Sequence, residues 1–257
     1  MTNEEIFQTA LRQSAIDCNC EPEDFLKKEN TIVHSVPNPD ARKYLELPLP
    51  ADLVTYGNGI VASVSGDLEE ITRSYISRFP PVRCFETPNL LQWDEALVQK
   101  GMRVCFMAEY FLPDIQKLCE CSCSYSVRVL EASDFAGLYL PEWGNAPCED
   151  RKELDVLAVG AYDGEKLVGL AGCSADCESM WQIGIDVLPE YRRQGIASAL
   201  TSRLALETLW RGKVPFYCAA WSNLKSVRNA LRCGFRPAWV ELTAKSCAFV
   251  ETMMNRA

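Results

Sequence analysis

Apolar residues recur along this chain at two spacings, and the switch from one to the other locates most of its elements. In M-W-Q-I-G-I-D-V-L, from Met180 to Leu188, the β-branched residues Ile183, Ile185 and Val187 fall at every second position, and Pro189 ends the run. That pattern predicts a buried strand. From Gly195 onward Ile196, Leu200 and Leu204 stand four apart, with Ala197 and Ala199 between them, and Gly212 closes the run. This is a helix with a C-terminal glycine. The same succession follows once more. Pro215–Trp221 is a short apolar strand, and Ser222 or Asn223 is an N-cap. Val227, Ala230 and Leu231 then form a helical stripe, and Gly234 sits where a C′ glycine belongs. Upstream, Ser124–Leu130 reads as a strand, a helix starts near Ser133, and a polar turn surrounds Trp143–Glu149. Leu154–Tyr162 and Lys166–Cys173 are strands joined by Asp163-Gly164, a hairpin signal. Arg236–Val250 supplies closing strands.

The N-terminal half predicts a helix at about Asn3–Ala15, a short one near Pro22–Lys28, and a loop rich in Pro and Asp. Asp52–Val64 is extended, with a hairpin-like turn at Tyr56-Gly57-Asn58-Gly59. Helices follow at Gly66–Arg78 and Asn89–Lys100, then a strand at Met102–Phe111 and a linker at Pro113–Cys119. Such an order implies an α/β protein of the mixed-sheet (α+β) kind. Its length of 257 residues suggests two domains, 1–118 and 119–257. N-L-L-Q-W-D-E-A-L-V-Q-K-G, from Asn89, loosely repeats N-L-K-S-V-R-N-A-L-R-C-G, from Asn223, with a one-residue difference in spacing. The N-terminal domain is therefore expected to be an α/β domain, readable as a degenerate copy of the C-terminal one.

Between the strand at 183–188 and the helix after Gly195 lies a turn holding Arg192, Arg193, Gln194, Gly195, Ile196, Ala197 and Ser198. A helix N-terminus has amides without partners and a partial positive charge, so it attracts anions. Gly195 and Ala197 are small enough for an anion to approach the backbone, and the arginines add donors. On these grounds alone the turn is a phosphate or diphosphate seat. The order V-x-P-x-x-R-x-x-G-x-A, from Val187 to Ala197, resembles the acyl-CoA signature R/Q-x-x-G-x-G/A of the GNAT superfamily of N-acetyltransferases. N-x-x-S-x-x-x-A-x-x-x-G-F, from Asn223 to Phe235, is similar to that family's final helix. The resemblance covers about residues 124–250 and implies a GNAT-like acyl-CoA-binding fold there.

If the resemblance holds, the turn residues 192–198 grip the diphosphate of acetyl-CoA, the cosubstrate. Ile185 and Val187 lie along its pantetheine arm, with Asn223 and Ser226 across from them. The implied activity is acetyl transfer to a primary amine of a small molecule or protein. Many relatives carry a Tyr in the final helix that protonates the departing thiolate; Ala230 stands there instead. Some carry a Glu base on the signature strand; Trp181 stands there. Asp176, Glu178 and Asp186 are nearby in sequence, and none is assigned as a base. The catalytic residues therefore stay open. The alternative is an acyl-CoA-binding module without catalysis, whose N-terminal domain recognises a partner. The chain has neither G-x-x-x-x-G-K-[ST] nor a G-x-G-x-x-G opening a helix, which disfavours a nucleotide-binding reading.

Composition narrows the picture further. Net charge is −9 with no basic run, so no nucleic-acid partner is expected, and an acidic surface suits cationic acceptors. No apolar run reaches the roughly 18 residues of a membrane span. The start, M-T-N-E-E-I-F, is acidic and amphipathic rather than signal-like, so a cytoplasmic protein without membrane contact is expected. Thirteen cysteines, an odd count, then read as reduced thiols. Cys119, Cys121 and Cys123 share parity with Tyr125, Val127 and Val129, as on a half-buried strand. With one histidine, His34, and no C-x-x-C pair, no metal site is expected. The residues leave the oligomeric state open.

Overall fold

The computed structural model describes residues 1–255. Its elements run α1 (Asn3–Cys18), β1 (Thr31–His34), β2 (Ala51–Thr55), β3 (Val61–Val64), α2 (Glu69–Arg78), α3 (Thr87–Val98) and β4 (Met102–Pro113). After these come β5 (Ser126–Glu131), β6 (Asp155–Asp163), β7 (Lys166–Ser174), β8 (Met180–Val187), α4 (Ile196–Trp210), β9 (Val214–Ala219), α5 (Leu224–Arg232), β10 (Phe235–Ser246) and α6 (Cys247–Met254). The class is mixed α/β, as the patterning implied. Two compact units result among the described residues: Met1–Thr9 with Tyr110–Pro237, and Ala10–Glu109 with the residues from Ala238 on. The chain passes between them at three points, after Thr9, after Glu109 and after Pro237.

In the unit built on residues 10–109, the strand order is β1-β3-β2-β10-β4. β2 and β3 form the antiparallel hairpin expected around residues 56–59, and Thr55 Oγ1 closes it by donating to the Gly59 carbonyl (3.0 Å). β1 pairs parallel to β3. A loop was expected at β1, because four residues show too little period to announce a strand; the partner at Val61–Val64 makes it one. Leu53, Ala62 and Leu242 from the sheet pack with Ile76, Trp93 and Leu97 of α2 and α3. The Tyr75 and Trp93 rings stack at 5.5 Å. Residues 236–250 were expected to be strand throughout. Instead β10 stops at Ser246, whose side chain accepts from the Phe249 amide (3.2 Å) and opens α6. That serine is an ordinary N-cap, which the continuing apolar run obscured.

In the unit built on residues 110–237, β9, β8, β7, β6 and β5 lie side by side, antiparallel except for the parallel pair β8–β9. Asp163 pairs with Lys166 across Gly164 (φ +60), as the hairpin signal required. Ile196, Leu200 and Leu204 seat α4 against Val159, Val168, Ala171 and Ile183. Gly169 permits the close approach: a Cβ there would lie 2.6 Å from Ile196 Cγ2. Two expectations fail here. Residues 119–123 have no regular structure, and β5 begins only at Ser126. Period two there is not strand alternation: Cys119 is exposed, and Cys121 and Cys123 are only half-buried. The segment around Trp143 is not a polar turn either. Trp143 is buried with Phe135, Ala146, Ala158 and Leu170.

Candidate functional site

The turn after β8 is built to leave its amides open. The Leu188 amide returns to the sheet at the Val168 carbonyl (3.0 Å), and a single 3-10 turn, Pro189–Tyr191, lifts the chain away. Arg193 (φ +64) and Gly195 (φ +82) then adopt left-handed backbone. For arginine that conformation costs roughly 1–2 kcal/mol, and such strain clusters at ligand-holding sites. Gly195 is the N-cap of α4 and offers no side chain to its orphan amides; the first helical turn contains no acidic residue. The first bond into the helix runs from the Ala199 amide to the Gly195 carbonyl (3.0 Å). Among the described residues, the amides of 193–198 have no acceptor. Gly195, expected to let an anion approach the backbone, also meets a conformational demand. Its missing Cβ would face the Ser122 carbonyl (3.4 Å) and Cys123, so the positive φ is what requires glycine.

Beside this turn the sheet opens. β8 and β9 are in register only over Met180–Gln182 with Val214–Phe216, yet β8 continues to Val187 and β9 to Ala219. Past Gln182 the β9-facing edge of β8 therefore has no strand partner. Arg192 Nε takes one carbonyl near its end, that of Val187 (3.0 Å). A cleft of about 700 Å³ occupies the opening. α5 forms its other wall, tied to the start of α4 by Asn229. The Asn229 carboxamide accepts from Ser198 Oγ (3.0 Å) and donates to Thr201 Oγ1 (2.9 Å).

The structure brings nearly all the sequence-derived candidates to this cleft. Ile185 and Val187 line it from β8; Arg192, Arg193, Gly195, Ile196, Ala197 and Ser198 line it from the turn; Asn223 and Ser226 line it from α5. Gln194 does not. Its Oε1 accepts from the Tyr125 hydroxyl (2.6 Å), outside the cleft. The Asn223 carboxamide is also committed locally, because its Oδ1 accepts from the Ser226 amide (3.2 Å) and caps α5.

Sequence reasoning missed Tyr217. It sits on β9 at 2 % exposure, yet it lines the cleft, and its hydroxyl lies 2.9 Å from Ser226 Oγ. Burial pushes its phenol above the ordinary tyrosine range, only partly offset by the Ser226 bond. The group is therefore a protonated hydroxyl at neutral pH and not a base. The signal was present, as a polar-tipped aromatic in an apolar strand, but nothing in the sequence says which way it faces.

Asp186 was also left unassigned, and among the described residues it is the one acidic side chain that lines the cleft. Its carboxylate accepts from the Asn145 amide (2.8 Å), Asn145 Nδ2 (2.6 Å) and the Ala146 amide (3.0 Å). It thereby straps residues 145–146 across the sheet. The strap fits because β7 and β8 present glycines beneath it. A Cβ on Gly172 would lie 2.3 Å from the Ala146 carbonyl oxygen, and one on Gly184 would lie 1.7 Å from that of Asn145.

Elsewhere, His34 is exposed on β1, 3.8 Å from Glu69. None of the thirteen cysteines is in a disulfide, and burial pushes the Cys173 and Cys233 thiols up to about 12, so both behave as small apolar groups. Among the described residues no group of three or more His, Cys, Asp or Glu is arranged to hold a metal ion. No helix there is long and apolar enough to cross a membrane.

Residues 157–238 match the GNAT acetyltransferase family, in agreement with the resemblance carried by the signature turn and final helix. No curated protein matches the chain significantly. Among solved structures, a GCN5-related N-acetyltransferase-like protein from Streptococcus suis is 20% identical over 61% of this chain and 69% of its own, with a TM-score of 0.43. An acetyltransferase from the GNAT family from Colwellia psychrerythraea is 17% identical over 62% of this chain and 63% of its own, with a TM-score of 0.43. An aminoglycoside N-acetyltransferase in complex with CoA is 20% identical over 47% of this chain and 93% of its own, with a TM-score of 0.36. The chain spans about two thirds of the length of the first two.

Proposed function

We propose that this protein is an acetyl-CoA-dependent N-acetyltransferase acting on a primary amine of a small molecule or protein. One observation carries the reading: the partnerless amides of 193–198 and two arginines stand at a cleft flanked by an unpaired strand edge. The residues fit the ligand. Amides at a helix N-terminus suit a diphosphate, and the apolar side chains of Ile185 and Val187 beside a free strand edge suit an extended amide-containing arm. The bound cosubstrate would supply an activated acyl thioester. The chain's own part is placement: holding donor and amine in one cleft removes up to about 7–11 kcal/mol of the barrier in favourable cases. Tyr217, with Ser226 behind it, is the protic group for the departing sulfur, in place of the tyrosine missing at Ala230. Asp186 acts by positioning the strap, since its oxygens already receive three donors.

A second reading, an acyl-CoA-binding module without turnover whose N-terminal part recognises a partner, draws on the same facts. Ala230 and the engaged Asp186 leave the cleft poor in acid–base groups. The test is to incubate protein, acetyl-CoA and a panel of amines and follow acetylated product by mass spectrometry. Thiol-reactive dyes are unsuitable, because Cys119 is exposed and would react. Product from any amine supports the enzyme. Tight acetyl-CoA binding with no product from any amine supports the module.

A further inference from the structure

Two cysteines that are distant in sequence meet on one face of α4. Cys121 belongs to the irregular segment 119–123, and Cys233 is the C-cap of α5. The Cys121 amide donates to Ser202 Oγ (2.9 Å), and the Cys233 thiol donates to the Ser198 carbonyl (3.4 Å). Ser198 and Ser202 stand about one turn apart, roughly 6 Å along the helix. A disulfide needs its Cα atoms about 4.4–6.8 Å apart, so the two anchors suit one. The segments also touch directly. A Cβ on Gly234 would lie 2.6 Å from the Leu118 nitrogen and 2.7 Å from Leu118 Cα. The Cys121 thiol stands in hydrogen-bonding range of the Cys233 thiol. Access is unequal. Cys233 is fully buried, whereas Cys121 is half-buried and, with Cys123 and Ala199, lines a second opening of about 370 Å³. A small oxidant can therefore reach Cys121 first.

We propose that Cys121 and Cys233 are a hydroperoxide-sensitive pair whose disulfide loosens the start of α4. The pairing stands apart from what the cleft holds; its effect on ligand affinity rests on the acyl-CoA reading above. The Cys121 thiolate attacks one oxygen of the hydroperoxide, the O–O bond breaks, and hydroxide or alkoxide leaves, so Cys121 becomes a sulfenic acid. The Cys233 sulfur then bonds to the Cys121 sulfur, the S–O bond breaks, and the Cys233 proton leaves with the displaced hydroxide as water. Together the two sulfurs give up two electrons, and the hydroperoxide takes them. The proton lost from Cys233 is the one it donated to the Ser198 carbonyl. Ser198 closes the run of open amides, and its hydroxyl holds Asn229 of α5 (3.0 Å). The bridge therefore removes a bond at the corner where turn and α5 are tied.

The test treats the reduced full chain with hydrogen peroxide, blocks the remaining thiols with N-ethylmaleimide and maps tryptic peptides by mass spectrometry. Residues 118–128 should appear joined to residues 233–245, since cleavage falls after Lys117, Arg128, Arg232 and Lys245 and Pro237 protects Arg236. The joined peptides should persist in Cys119→Ser and vanish in Cys121→Ser. Their absence from the wild type, or their survival in Cys121→Ser, overturns the pair. Calorimetry then compares reduced and bridged protein. The bridged form should bind acetyl-CoA about fivefold more weakly, as for the loss of one hydrogen bond, and dithiothreitol should restore the affinity. Equal affinities overturn the loosening of α4 and leave the acyl-CoA reading standing. A reduced protein that binds no acetyl-CoA overturns that reading and the effect on affinity with it, while the bridge is judged on the peptides alone.

Discussion

Gly184→Ala would place a methyl group where β8 meets the strap. A Cβ at this position lies 1.7 Å from the Asn145 carbonyl oxygen, 2.8 Å from its carbon and 3.3 Å from Ala146 Cα. Ordinary contact needs about 3.5 Å, so one backbone must move by more than 1 Å or so. The obstacle is main chain and cannot rotate aside. If the strap lifts, Asp186 loses donors whose charge-assisted bonds are worth roughly 1.5–3 kcal/mol each. If β8 yields instead, it strains, and overpacking of this kind costs about 1–3 kcal/mol. Opposing this, alanine restricts the unfolded chain and returns about 0.4–1 kcal/mol. The clash wins, and by the cheaper of the two routes the net loss is about 1–2 kcal/mol. At roughly 2–4 °C per kcal/mol for a chain of this size, Tm should fall by about 2–8 °C. Thermal unfolding followed by tryptophan fluorescence reads the change, since Trp143 is buried in the same cluster. Gly137→Ala is the control: its Cβ would meet nothing within 4 Å, so its Tm should stay close to the wild type. A Gly184→Ala protein that melts within about 1 °C of the wild type would refute the close-approach argument.

Burial raises Asp155 to about 6 from an ordinary 3.8, so between those values the folded state holds more protons than the unfolded one. Stability should therefore fall as pH rises from about 4 to about 6, and Asp155→Asn should flatten that slope; urea midpoints showing the same slope in both proteins would contradict it. Tyr217→Phe keeps the ring packed but removes the hydroxyl facing Ser226. If the phenol serves the leaving sulfur, kcat should drop about a hundredfold with KM for acetyl-CoA unchanged, and an unchanged kcat would remove it from the chemistry. Asn223→Ala uncaps α5 and should weaken acetyl-CoA binding about fivefold, the worth of one hydrogen bond; equal affinities by calorimetry would exclude Asn223 from the site.

Much of the unit that holds the cleft was legible as a pattern. β6, β7, β8, α4 and α5 follow from alternation, helical spacing and punctuation by glycine and proline, all of which act within a few residues. The turn proposed to seat an anion was legible for the same reason, since its amides, Gly195 and Arg192 belong to one short stretch. Tertiary structure decided whatever joins residues distant along the chain. Tyr217 and Ser226 meet across nine positions, and the Asp186 carboxylate finds amides some forty residues away. Gly172 and Gly184 are written with the same letter as a turn glycine, but they serve a backbone passing over a strand. Thr31–His34 became a strand only because Val61–Val64 lies beside it, and residues 238–255 joined a unit that their spacing does not name. Backbone preference is a property of neighbours in sequence. Close approach, pairing and the direction a buried side chain faces depend on neighbours in space, and these exist only once the chain has folded.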